Sequence, residues 1–218
     1  PKRHAWRYNR GDTSYLLDHV VGKRVKTVNG TRAYVLARGN RESFDCHTCG
    51  GLIGAFLFDS LDDFAKPLHL ISGSPGIEVG FWGSTAALDI QFARFGPDDY
   101  FGWIIRSGST FQGYTVVNAL FLLPSGRDFV IAGNVPVSRD NAGACTAPAD
   151  CYDLEFDLKI DDSASGAKLY PVILTKSGHD GIKIIKKDQY RIAFDSSKAK
   201  YVLPGSLKSV RYNITGGD

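Results

Sequence analysis

The chain has no methionine and only five histidines among its 218 residues. No apolar run approaches the roughly 18–20 residues that a membrane-crossing helix needs. The longest, Gly50 to Phe58, has the length of a strand. Familiar catalytic signatures are also missing. There is no G-x-S-x-G elbow, no phosphate-binding G-x-x-x-x-G-K-[ST] loop, no dinucleotide glycine fingerprint and no H-E-x-x-H helix. These absences exclude the common serine-hydrolase, nucleotide-binding and zinc-protease architectures. His4, His19, His47, His69 and His179 are scattered without ligand spacing, so no metal and no cofactor is expected. A formal charge of +3, without a basic stripe interleaved with aromatics, argues against a nucleic-acid partner. The missing initiator methionine is read as a mature chain whose targeting segment has been removed.

What is present is the composition of a folded domain, 43% hydrophobic and 22% charged, long enough to bury a core. Residues 1–12 are basic and polar and read as an N-terminal tail. Thr13 to Val21, with Asp12 or Thr13 as cap and Gly22 as stop, reads as a short helix. Beyond it the texture changes to short β-branched and aromatic runs punctuated by glycine, as in antiparallel sheet. Lys23–Val28, Asn29-Gly30 and Thr31–Ala37 read as a hairpin. Further strands are expected at 51–58, 77–82, 87–95, 102–107, 114–123 and 128–132. Asp153 to Ile160 alternates most clearly, with Leu154, Phe156, Leu158 and Ile160 on one face. The expected fold is therefore mainly β, an antiparallel sandwich or barrel-like sheet with one short N-terminal helix, in a single domain over 13–218. A faint echo between about 75–135 and 145–205 suggests a duplicated unit.

Four cysteines fall in two tight pairs, Cys46-His47-Thr48-Cys49 and Cys145…Cys151. Four cysteines allow three connectivities, and local pairing within each motif is favoured over crossed pairing. A thioredoxin-type redox pair would open a helix in a βαβ unit. Here the motif runs into Gly50-Gly51 and an apolar strand. A zinc site wants two such close pairs, and Cys145 and Cys151 are too far apart in sequence to match. Two disulfide-closed loops are the expected outcome, which places the protein in a secreted or periplasmic setting.

A closed loop projects its middle side chains rigidly, so Asp45, His47 and Thr48 form a small polar tip suited to docking on a partner. The tip resembles that of bacterial periplasmic lysozyme inhibitors, which present a histidine on a short Cys-closed loop to the enzyme's catalytic carboxylates. The resemblance covers Cys46-His47-Thr48-Cys49 alone, with a shorter cysteine spacing. Tyr100 and Trp103, beside Asp98 and Asp99, supply aromatic contact surface. The expectation is a non-enzymatic binding protein, most concretely an inhibitor or immunity protein against a cell-envelope hydrolase. One alternative is an envelope carbohydrate- or peptide-processing hydrolase using Asp98 and Asp99, since paired acids beside aromatic rings suit sugar chemistry. A structural or surface-assembly component is the other.

Overall fold

The computed structural model describes residues 5–28, 30–43, 46–59, 68–164 and 166–208. Asn29 and Asp45 fall outside them. Among the described residues, fourteen strands and one helical turn make up most of the structure. The first five, β1 (Trp6–Arg10), β2 (Thr13–Thr27), β3 (Gly30–Arg41), β4 (Gly51–Asp59) and β5 (His69–Val79), form a sheet in that order. Its neighbours are antiparallel throughout. A seven-stranded sheet follows, again with sequence neighbours adjacent. It comprises β6 (Asp89–Gly96), β7 (Tyr100–Phe111), β8 (Tyr114–Ser125), β9 (Asp128–Asp140), β10 (Tyr152–Ile160), β11 (Val172–Asp180) and β12 (Lys183–Ile192). A small ribbon, β13 (Phe194–Asp195) with β14 (Lys200–Tyr201), and the turn α1 (Gly205–Lys208) complete the described chain. The fold is mainly antiparallel β, with a single helical turn among the described residues.

The expected helix over 13–21 is not there. Thr13 opens β2, and its burial alternates, with Tyr15 and Leu17 buried and Leu16 exposed. The turn before it, Gly11-Asp12, closes a hairpin in which Arg10 pairs with Thr13 and Gly11 takes φ +58°. Asp12 thus serves a hairpin turn and not a helix cap. A register shift between Leu17 and His19 breaks the two-residue period, which disguised the strand in the sequence. Part of the basic segment before it, Trp6–Arg10, is the edge strand β1. The hairpin anticipated around Asn29-Gly30 is present, closing on the Thr27–Gly30 pair with Gly30 at φ +111°. β5 begins at His69 and ends at Val79, so Trp82 lies beyond it. β9 runs on to Asp140, well past the strand end expected at Ala132.

The chain divides into two compact units. The first holds residues 1–92 and 122–130, the second 93–121 and 131–218. In the first, Tyr34, Leu36, Ile53, Ala55 and Leu57 are buried on the five-stranded sheet. The Tyr34 ring meets Phe92 edge-on at 5.1 Å. The tip of the β8–β9 hairpin closes against β5, where Ser72 Oγ donates to Gly126 O (2.7 Å) and Gly73 N to Arg127 O (2.8 Å). In the second unit Trp103, Phe95, Phe121, Leu154 and Phe156 are interior. Phe121 and Phe194 each pack on Tyr201, at 5.3 Å.

Candidate functional site

Both disulfides are local, Cys46–Cys49 and Cys145–Cys151, and among the described residues no cysteine is free. The Cys46–Cys49 loop connects β3 to β4 in the first unit. Its exit is fixed by close approach: a Cβ on Gly51 would sit 2.6 Å from the Thr85 side chain. Gly50 N donates to Glu78 Oε1 at 2.9 Å, and Arg10 faces the other Glu78 oxygen at 3.7 Å. On the approach to the loop, Arg7 pairs with Glu42 at 2.9 Å, a hydrogen bond that raises the guanidinium pKa further.

The loop does not stand alone. It is strapped to the turn Phe81-Trp82-Gly83-Ser84, in which Trp82 and Gly83 take φ +58° and +63° and Ser84 N donates to Phe81 O. Two consecutive positive φ values with this bond make a type I′ turn. Trp82 N donates to His47 O (3.2 Å) and Gly83 N to Cys49 O (2.7 Å), while Gly83 O accepts from Arg41 N (2.7 Å). Asn40 Oδ1 anchors the far side by accepting from Thr85 N, Thr85 Oγ1 and Ser84 Oγ.

The result is a surface knob built from two loops. The His47 ring lies on the Trp82 ring with centroids 4.0 Å apart and planes tilted by 39°. Both remain open to solvent, with Trp82 48% exposed. Thr48 is exposed beside them, its Oγ1 3.7 Å from Cys46 Sγ. A tryptophan in the left-handed region carries a steric cost of about 1–2 kcal/mol. It is held there by the backbone bonds on both sides and is neither buried nor part of a strand. Strain of this kind concentrates at functional sites.

The other sequence-derived candidates lie elsewhere. Tyr100 opens β7 in the second unit and is half-buried. Trp103 is 1% exposed and belongs to the interior of that unit, so it offers no surface to a partner. Asp98 and Asp99 form another positive-φ turn, closed by Tyr100 N donating to Pro97 O. Asp99 faces Arg94 at 3.7 Å. Two acids on an exposed hairpin turn, one with a cation beside it, do not make a shielded acid–base pair. Among the described residues no cluster of His, Cys, Asp or Glu is placed to hold a metal ion, and no helix is long and apolar enough to cross a membrane.

Sequence reasoning missed Trp82, Asn40 and Glu78. The one available signal was Gly80-Phe81-Trp82-Gly83-Ser84, where glycines and serine bracket two aromatics in the manner of a turn. No family model, curated protein or solved structure matches the chain.

Proposed function

We propose that this is an exported, non-enzymatic binding protein that presents the His47–Trp82 knob to another protein, acting as an inhibitor or immunity protein against a cell-envelope hydrolase. The observation that carries the reading is the stacked, solvent-facing His47–Trp82 pair, fixed covalently on one side and by backbone hydrogen bonds on the other. Such a pair combines an apolar anchor with a polar ring whose N–H groups suit a carboxylate. Holding it rigid lowers the entropy lost on docking. Two disulfides fit an oxidising compartment, where envelope hydrolases work.

The test is binding and inhibition by the oxidised protein across a panel of peptidoglycan hydrolases, measured by calorimetry and residual turnover. Trp82→Ala should weaken a productive complex by at least about thirtyfold, the loss expected of an aromatic anchor. His47→Ala should lose about tenfold, as for a charge-assisted hydrogen bond. A complex that neither substitution weakens would sink the knob as the contact surface.

A further inference from the structure

The second disulfide buttresses a different surface. Cys145–Cys151 closes the loop between β9 and β10, organised by buried Asn141, whose Nδ2 donates to Asp150 O (2.9 Å) and whose Oδ1 accepts from Tyr152 N (2.7 Å). That loop presses on the tip of the β11–β12 hairpin. Gly181 N donates to Cys151 O at 2.8 Å, and a Cβ on Gly181 would lie 2.6 Å from Ala149 O. Asp180 pairs with Lys183, so the hairpin turns in two residues, Gly181 at φ +60° and Ile182. With its glycine packed against the disulfide loop, the turn leaves Ile182 87% exposed and Ile184 75% exposed.

β12 is the edge strand of its sheet. The segment from Lys176 to Asp188 carries four lysines, Lys176, Lys183, Lys186 and Lys187, against Asp180 and Asp188. Lys183, Lys186 and Lys187 are all exposed. Lysines on an edge strand ordinarily protect it from pairing with other chains. That account does not cover the isoleucines, because two exposed β-branched side chains on the same edge work against such protection. The combination of projecting aliphatic tips flanked by cations has a simpler physical complement.

We propose that the β11–β12 hairpin tip docks on an anionic phospholipid surface, with Ile182 and Ile184 entering the acyl boundary and the lysines meeting lipid phosphates. A bilayer favours this arrangement over a soluble polyanion because it alone rewards both halves. Lysines near an anionic leaflet gain attraction, and aliphatic side chains leave water. The rigid tip, held by Cys145–Cys151, keeps both isoleucines presented together.

The experiment is flotation of the full oxidised chain with vesicles of phosphatidylglycerol in phosphatidylcholine, and with phosphatidylcholine alone, alongside retention on heparin. Binding to the anionic vesicles only is expected. Lys183→Gln/Lys186→Gln/Lys187→Gln should weaken it about a hundredfold, and Ile182→Ser/Ile184→Ser at least about tenfold. All five positions are exposed on the hairpin, and unchanged melting curves would show both variants folded. Absence of binding to anionic vesicles, or equal binding to phosphatidylcholine alone, overturns the proposal. So does full binding by the serine variant, which with undiminished heparin retention would assign the surface to a soluble polyanion.

Discussion

Two tryptophans on strand-like sequence meet opposite fates. Trp103 sits in the interior of the second unit, so Trp103→Ala should cost about 3–5 kcal/mol, the range for truncating a buried aromatic. Trp82→Asn should cost no more than about 1 kcal/mol. Asparagine tolerates the left-handed backbone, and relief of the steric cost of about 1–2 kcal/mol offsets the lost stacking on His47, worth about 0.5–1.5 kcal/mol. Urea unfolding of the two variants checks the contrast, and a loss at Trp82 equal to that at Trp103 would mean that the turn is not strained. A third aromatic should contribute to the response at alkaline pH. Burial, with a smaller contribution from Tyr100, raises the Tyr201 phenol above its ordinary 10.0, while its hydroxyl donates to Tyr170 O at 2.8 Å. The folded state therefore binds this proton more tightly than the unfolded chain does. The associated stability is complete below pH about 10 and is lost as pH rises toward the folded value. Tyr201→Phe should flatten the alkaline limb of a melting-temperature profile, while costing about 1 kcal/mol at neutral pH through the lost hydrogen bond. In the sequence, Trp103 sits in the run Gly102-Trp103-Ile104-Ile105, whose strand character implies burial, whereas Tyr201, set among Lys198, Lys200 and Pro204, carries no such signal. The sequence puts Trp82 at the end of a strand over 77–82, but it lies beyond β5 and half exposed, because its partner His47 is 35 residues away and leaves no local pattern.

At the scale of elements, the alternation of Asp153–Ile160 and the Asn-Gly hairpin were legible because each is a local pattern. The strand β2 was not, because its bulge shifts the register and Gly11-Asp12 suits a cap and a turn alike. β5 was masked by Ser72-Gly73-Ser74-Pro75-Gly76, a composition that reads as loop. Pro75 lies at a register shift between β4 and β5, where its missing N–H is tolerated. The disulfides were visible as pairs, but not what each one supports. Loops this short constrain the unfolded chain weakly, so replacing either pair by alanine should cost about 2 kcal/mol. Their structural effects should differ. Loss of Cys46–Cys49 should speed amide exchange at Trp82 and Gly83, whereas loss of Cys145–Cys151 should do so at Gly181. Gly178 is a sterner test of the β11–β12 hairpin. It has φ +115°, beside the register shift, and an added Cβ would lie 2.0 Å from Asp153 O. Gly178→Ala should destabilise by more than about 2 kcal/mol, read from the midpoint of thermal unfolding.

At the scale of the whole molecule, glycine-punctuated β-branched runs specified an antiparallel β protein, and the chain is one. The division into two units had no compositional marker, because the chain crosses between them inside strands. β6 divides between Phe92 and Ala93, β8 between Phe121 and Leu122, and β9 between Val130 and Ile131. Unfolding either unit alone would therefore have to break three strands in mid-length. The continuity of these strands should couple the units into one cooperative transition. The tryptophans allow a direct check, because Trp6 and Trp82 report on the first unit and Trp103 on the second. In a Trp103→Phe variant, fluorescence follows the first unit alone while far-UV circular dichroism follows strands of both. Coincident urea midpoints, with equal calorimetric and van't Hoff enthalpies in the parent protein, are the expected result. A fluorescence transition separated from the dichroism transition would show that the strand boundaries at 92–93, 121–122 and 130–131 yield independently, and that the two units fold as separate bodies joined by continuous strands.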